Sequence, residues 1–239
     1  MDVQLFIPCF IDQLYPETGF STIKILEKAG CKVHYNPKQT CCGQPAFNSG
    51  YWYEAGALAQ KFMNDFNAEM PVVSPSASCT SFVIHHYHKI LKDKPKLLVQ
   101  LEKQKTQMFE LSDFLVNELK ITDLGASFPH KVTYHDSCSA LREYGIKKEP
   151  RELLSHIKGL ELIEMDECET CCGFGGTFAV KHTDISSAMA EKKVENALAT
   201  GAEYIISTEA SCLMNINGYI AKHNLPVKGI HLADVLCNF

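Results

Sequence analysis

Cys41-Cys42-Gly43-Gln44-Pro45 and Cys171-Cys172-Gly173-Phe174-Gly175 are two versions of one short stretch, set about 130 residues apart in a chain of 239. Each has an isolated cysteine upstream, Cys9 or Cys138, and another downstream, Cys79 or Cys212. The intervening segments hold 31 and 36 residues in the first set and 32 and 39 in the second. Eleven cysteines placed at random in this length give about 0.5 adjacent pairs, so a single pair carries little information. Two pairs, each followed by glycine and each flanked by matched outliers, indicate one thiol-bearing unit present twice.

Outward from these stretches, both halves read in the same order. Val3-Gln4-Leu5-Phe6-Ile7 is an apolar strand running into Cys9. The segment Gly19 to Ala29 carries Phe20, Ile23, Ile25 and Leu26 and stops at Gly30, as an amphipathic helix does. Cys31 to Tyr35 reads as a second strand before Cys41. Tyr51 to Phe66 has helical apolar spacing, and Pro71-Val72-Val73-Ser74 is a third strand ahead of Cys79. In the second half, strands at Val132 to His135, Leu160 to Ile163 and Tyr204 to Ser207 lead to Cys138, Cys171-Cys172 and Cys212. Helices fit Pro150 to Ile157, Asp184 to Thr200 and Cys212 to Lys222. Even the tails match, Glu110-Leu111-Ser112-Asp113-Phe114-Leu115 against His231-Leu232-Ala233-Asp234-Val235-Leu236.

Strands alternating with helices of this length call for parallel sheets with right-handed crossovers. The expected fold is α/β, two tandem pseudo-symmetric domains spanning 1–118 and 119–239, each a small parallel sheet flanked by helices. Such sheets place functional groups past the carboxyl ends of their strands, where all the motif cysteines fall. A spacing in sequence thereby becomes a cluster in space.

Composition narrows the class. A net charge of -5, with 46% apolar and 21% charged residues, describes an ordinary globular protein and carries no nucleic-acid signature. The lysines between Lys89 and Lys105 are interrupted by Asp93 and Glu102 and read as a solvated connecting surface. No run reaches the length of a membrane span, and Met1-Asp2-Val3 lacks a basic secretory start, so a cytoplasmic location is expected. In a reducing compartment eleven cysteines are read as metal ligands more economically than as disulfides.

Four thiols per half, Cys9, Cys41, Cys42 and Cys79 and then Cys138, Cys171, Cys172 and Cys212, match the demand of a [4Fe-4S] cluster in each. Structural zinc accepts four thiolates too, but its usual loops separate ligands by two to four residues. Adjacent cysteines, tied by one peptide bond, bridge different irons of a larger cluster more readily than they wrap one ion. A metal-free redox dithiol is the third chemistry open to such pairs. The glycines that follow supply backbone N–H groups close to the sulfurs.

These residues resemble the cysteine-rich CCG domain family, found in heterodisulfide reductases and in the iron–sulfur subunits of glycolate oxidase. The likeness extends over nearly the whole chain to the lactate utilization protein A group, which is built from two such domains. Cys41 to Gly50, Cys171 to Lys181, Ser76-Ala77-Ser78-Cys79 and Ala210-Ser211-Cys212 carry it. The resemblance implies an iron–sulfur electron-transfer subunit of a complex oxidising L-lactate to pyruvate. Its implied partners are a ferredoxin-type iron–sulfur subunit and a third small subunit, with activity residing in the complex and no catalytic residue identified on this chain. One departure matters: the family motif closes Cys-x-x-Cys, whereas this chain has Phe82 and Asn215 at that place. Both halves thus favour an ordinary four-thiolate cluster over the noncubane kind and over heterodisulfide chemistry.

Other polar residues are secondary. Cys168 lies three residues before Cys171 and is read as a loop thiol with some reach to the second site; Cys31 and Cys237 are packing or surface thiols. His135 and His34 precede motif cysteines and are read chiefly as structural, with tuning of a cluster as the functional reading. His85, His86 and His88 crowd one helix and form a solvated face. Asp136 and Arg142 are candidates to meet an anionic substrate or partner. No dinucleotide fingerprint or Ser-His-Asp arrangement occurs.

Overall fold

The computed structural model describes residues 1–66 and 68–239. The first half runs β1 (Asp2–Leu5), α1 (Cys9–Leu14), α2 (Pro16–Lys28), β2 (Lys32–Tyr35), α3 (Gln44–Asn48), α4 (Trp52–Asp65), β3 (Val72–Ser74), α5 (Ala77–Ile90), α6 (Pro95–Lys105), β4 (Met108–Glu110) and α7 (Leu111–Asp113). A π-helical turn, Phe114–Glu118, closes it. The second half runs β5 (Lys131–Tyr134), a π-helical turn (Ser139–Tyr144), α8 (Lys148–Ser155), β6 (Glu161–Leu162), α9 (Thr177–Lys181), α10 (Thr183–Ala199), β7 (Tyr204–Ser207), α11 (Ala210–His223), β8 (Lys228–His231) and α12 (Leu232–Leu236).

Each half forms one four-stranded sheet, ordered β2-β1-β3-β4 and β6-β5-β7-β8, with every pairing parallel. The register aligns Val3 with Val33 and Leu5 with Val73 in one sheet, and Thr133 with Ile205 in the other. Parallel strands buried on both faces are apolar without strict alternation. Val3, Leu5 and Val73 accordingly enter one core, while Phe6 and Val72 enter another on the opposite face. The order reverses direction between β1 and β3, and between β5 and β7. The crevice beyond those strand ends is the favoured binding position of such sheets.

The expected α/β class and doubled parallel sheets are what the structure contains. Several elements differ from the sequence reading. The strand expected at Leu160 to Ile163 shortens to Glu161–Leu162. The fourth strands β4 and β8 carried no strand signal, being three or four residues long and ending on polar Glu110 and His231. Those two end residues are nevertheless buried, because each caps the helix that follows: Glu110 accepts from Ser112 N, and His231 from Ala233 N. The lysine-rich stretch runs from the end of α5 through a turn into helix α6, which buries Leu101 and Gln104 and leaves Lys96 and Lys103 exposed. Among the described residues no helix is long and apolar enough to cross a membrane.

The two sheets share a core. Helix α2 of the first half packs on α12 of the second, and α8 of the second packs on α7 and the Phe114–Glu118 turn of the first. Ile25, Leu26 and Leu115 thereby join Leu154, Leu232 and Leu236 in one buried cluster. Matched hydrogen bonds close the seam: Thr18 Oγ1 donates to Asp234 at 2.8 Å, and Tyr144 Oη donates to Asp113 at 2.6 Å. The aspartates that repeat in the two tail sequences hold one half to the other.

Candidate metal centre

Each motif cysteine lies where a strand gives way to a helix or turn. Cys9 opens α1, and Cys138 immediately precedes its π-helical turn. Cys79 and Cys212 occupy the first turns of α5 and α11, and the Cys-Cys pairs stand just before α3 and α9. First-turn N–H groups and the positive end of the helix dipole favour the thiolate there. The sulfurs converge: Cys9 and Cys41 lie 3.5 Å apart, and Cys42 and Cys79 lie 3.3 Å apart.

Within each set the first cysteine of the pair, Cys41 or Cys171, is drawn toward the thiolate. Hydrogen bonds from the Cys42 and Cys9 thiols, joined by the Gly43 N–H at 3.4 Å, hold Cys41 well below the ordinary thiol range. Cys138, Cys172 and the Gly173 N–H do the same for Cys171. Cys9 and Cys138 are pushed up by bonding to those thiolates and by burial. A soft cation replacing the shared protons finds one ligand already charged.

The glycine after each pair is set by geometry. Gly43 and Gly173 have φ of 94° and 84°, in the left-handed region that side chains avoid. A Cβ on Gly173 would stand 2.8 Å from Ser186 O and 2.9 Å from Met189 Cβ, whereas on Gly43 its nearest neighbour is Leu58 Cβ at 3.3 Å. Gly173→Ala is therefore expected to cost about 2–4 kcal/mol, strain and overpacking combined, against about 1–2 kcal/mol for Gly43→Ala. Urea unfolding of the metal-free variants measures both. Equal losses at the two positions would contradict the packing difference.

Both thiol sets line one cavity of about 650 Å³. Two sites that the sequence reading assigned one to a domain thus open into shared space. Helix α1, bearing Cys9, packs on α11, bearing Cys212, and the Phe10 and Phe174 rings meet edge to face at 5.4 Å. Between the sets lies Glu209, buried, accepting from Ser76 Oγ and Ser78 Oγ at 2.8 Å and from Ser78 N at 2.9 Å. Burial raises its carboxyl to about 7.

A family model described as a cysteine-rich domain, CCG, matches residues 3–83 and again 132–217. Lactate utilization protein A of Halalkalibacterium halodurans is 44% identical over 99% of this chain and 96% of its own length. The protein of that name from Bacillus subtilis is 42% identical over 99% of both. The chain belongs to the lactate utilization protein A family, built on two CCG domains. A solved structure of a hypothetical Helicobacter pylori protein, 15% identical, superposes with a TM-score of 0.60 over 98% of this chain and 48% of that one, which speaks to the fold alone.

The two CCG domains are not chemically equal. Phe6 follows β1 as His135 follows β5, each three residues ahead of the isolated cysteine. Gly43 rests on Ala55 and Leu58 of α4, and Gly173 on Ser186 and Met189 of α10. Continuing along both helices brings Phe62 into the place of Lys193. Phe6 and Phe62 stack edge to face at 5.0 Å behind the first CCG site, whereas His135 and Lys193 are both buried behind the second. Lys193 Nζ donates to Glu167 O at 2.6 Å and Cys168 O at 3.1 Å, and burial lowers its pKa.

The family's missing thiols have other work here. Phe82 is buried and stacked on His86. Asn215 donates to Cys172 O at 2.8 Å, the task Tyr87 performs for Cys42 O at the same distance. Cys168 lies beside Asp136, and its thiol is raised first by burial and then by that carboxylate. Asp136 is buried in a bidentate pair with Arg151, at 2.9 and 2.8 Å, so it is not free to meet an anionic substrate. Arg142 donates to Glu169 O, and His34 pairs with Asp2 at the surface. Of the three helix histidines, His85 and His88 are exposed, while His86 packs between Phe82 and Phe47.

Sequence reasoning missed Glu209 and Lys193 and gave His135 too little weight. The signals were mismatches between repeats: Glu209 against Ser76, Lys193 on an apolar helix face, and His135 where its counterpart is phenylalanine.

Proposed function

We propose that this chain is a metal-bearing electron-transfer subunit acting in lactate utilization, with one iron–sulfur centre in each CCG domain. Cys9, Cys41, Cys42 and Cys79 would hold one, and Cys138, Cys171, Cys172 and Cys212 the other. The observation that carries this reading is the convergence of both thiol sets on one cavity, because two centres facing the same space are placed to exchange electrons. The name shared by the relatives supplies the pathway.

A bound cluster would supply one-electron storage. The protein's own part is to gather thiols at helix N-termini, donate Gly43 and Gly173 N–H groups to sulfur, and wall each site with buried side chains. Electrons withdrawn from a 2-hydroxy acid would pass through these centres to a ferredoxin-type iron–sulfur subunit, with a third small subunit completing a cytoplasmic oxidoreductase complex.

One observation favours the zinc alternative. A tetrahedral ion with bonds of about 2.3 Å sets its thiolates about 3.8 Å apart. The Cys9–Cys41 and Cys42–Cys79 separations of 3.5 and 3.3 Å lie nearer that spacing than the wider one imposed by irons at the corners of a cluster. Iron, acid-labile sulfide and zinc assays on anaerobically purified protein, with electron paramagnetic spectra of the reduced form, separate the two. The expected result is iron and sulfide in equal amounts and a reducible signal; zinc at two per chain without sulfide sinks the redox reading.

A further inference from the structure

We infer that His135 is a metal ligand of the second CCG site, so that this site binds through sulfur and imidazole nitrogen while the first binds through sulfur alone. Among the described residues, ligand atoms of His135, Cys172 and Cys212 all lie within 4.8 Å of one another, and all three residues are buried. Apart from the Cys212 thiol, neither ring nitrogen of His135 has a hydrogen-bond partner among the described residues. A buried ring held for packing alone would leave at least one polar atom unpaired, at about 1–3 kcal/mol, and native structures rarely accept that. A neutral imidazole nitrogen facing two cysteine sulfurs is instead a recurring metal donor arrangement.

The repeat supplies an internal control. At the matched place the first domain carries Phe6, packed against the Phe62 and Phe66 rings with no polar side-chain atom of its own. Packing behind a CCG site therefore does not require a histidine. With the imidazole in place of one of the four thiolates, the second metal centre would receive less negative charge than the first, so the two would differ in affinity and in redox potential.

This inference rests on the metal-centre reading above but not on which metal is bound. X-ray absorption at the edge of whichever metal the anaerobically purified full chain carries provides the test. The Cys9→Ser, Cys42→Ser variant confines metal to the second site, and wild-type protein serves as the second sample should that variant misfold. We expect one nitrogen per second-site centre among sulfur neighbours, which is one per ion for zinc and one per four irons for a cluster, lost in His135→Gln while first-site metal is retained. For a paramagnetic centre, labelling histidine with nitrogen-15 should give a directly bonded coupling that disappears in the same variant. A loaded second site with sulfur neighbours alone overturns the inference and leaves the metal-centre reading standing. A second site that takes up no metal overturns both.

Discussion

Expressed without residues 119–239, the first 118 residues are expected to remain unfolded. Ile25, Leu26 and Leu115 of that segment are buried in the cluster that holds Leu154, Leu232 and Leu236 of the other half. Fully exposing a buried aliphatic side chain costs about 1.5–3 kcal/mol, so the members of this cluster on both sides of the seam, each losing part of its cover when the halves part, together forfeit an amount comparable to the whole net stability of a domain. The bonds from Thr18 to Asp234 and from Tyr144 to Asp113 are lost as well. Near-ultraviolet circular dichroism and amide exchange should show no fixed packing in either fragment alone, with structure regained on mixing or co-expression. A sharp, cooperative unfolding transition from an isolated fragment would refute the shared-core account.

The second large effect concerns pH. Burial raises Glu110 from its ordinary 4.5 to about 8, even though Ser112 N donates to it at 2.7 Å and Asp113 N at 3.3 Å. A carboxyl raised in the folded state contributes its full stability below its unfolded value and loses it as pH climbs through the folded value. For Glu110 that window is pH 4.5 to 8, with a slope of about 1.4 kcal/mol per pH unit and a total on the order of 5 kcal/mol. Glu209, raised to about 7, adds a narrower loss of the same sign. Cys41 and Cys171, lowered by their neighbours, act in the opposite sense, so the wild-type profile alone is uninformative. Glu110→Gln keeps an acceptor for Ser112 N and removes the ionisation. Urea unfolding of metal-free variant and wild type should show the variant gaining relative stability as pH rises from 5 to 8. A difference that stays flat across that range would mean that Glu110 titrates as an ordinary surface carboxylate.

Much of this architecture was legible in the repeats. A strand such as Val132 to His135 or Tyr204 to Ser207 announces itself by apolar, β-branched residues, and the cysteines mark where such strands end. The elements that escaped were those whose cause is remote. Strand β4 is three residues long and ends on a glutamate whose burial is explained by capping, which local patterning does not encode. The swapped packing of α2 and α8 escaped for a similar reason: an amphipathic helix declares that it has an apolar face, not which half of the chain will cover it. At the site, the cysteines were found by counting. His135, Lys193 and Glu209 required comparing the repeats position by position, since each is an ordinary residue whose meaning comes from differing from its counterpart.

Ser76 and Glu209 are counterparts in the two repeats, and they touch each other. In a symmetric dimer of a single repeat, one residue type would have to occupy both places. Two glutamates would then oppose one another in a buried seam, and two serines would leave the charge out altogether. Continuity of the chain lifts that constraint, letting a carboxylate on one side meet hydroxyls on the other. The same freedom lets phenylalanine back one site and histidine the other. Joining the repeats thus gave the protein a means of making two related pockets into different ones.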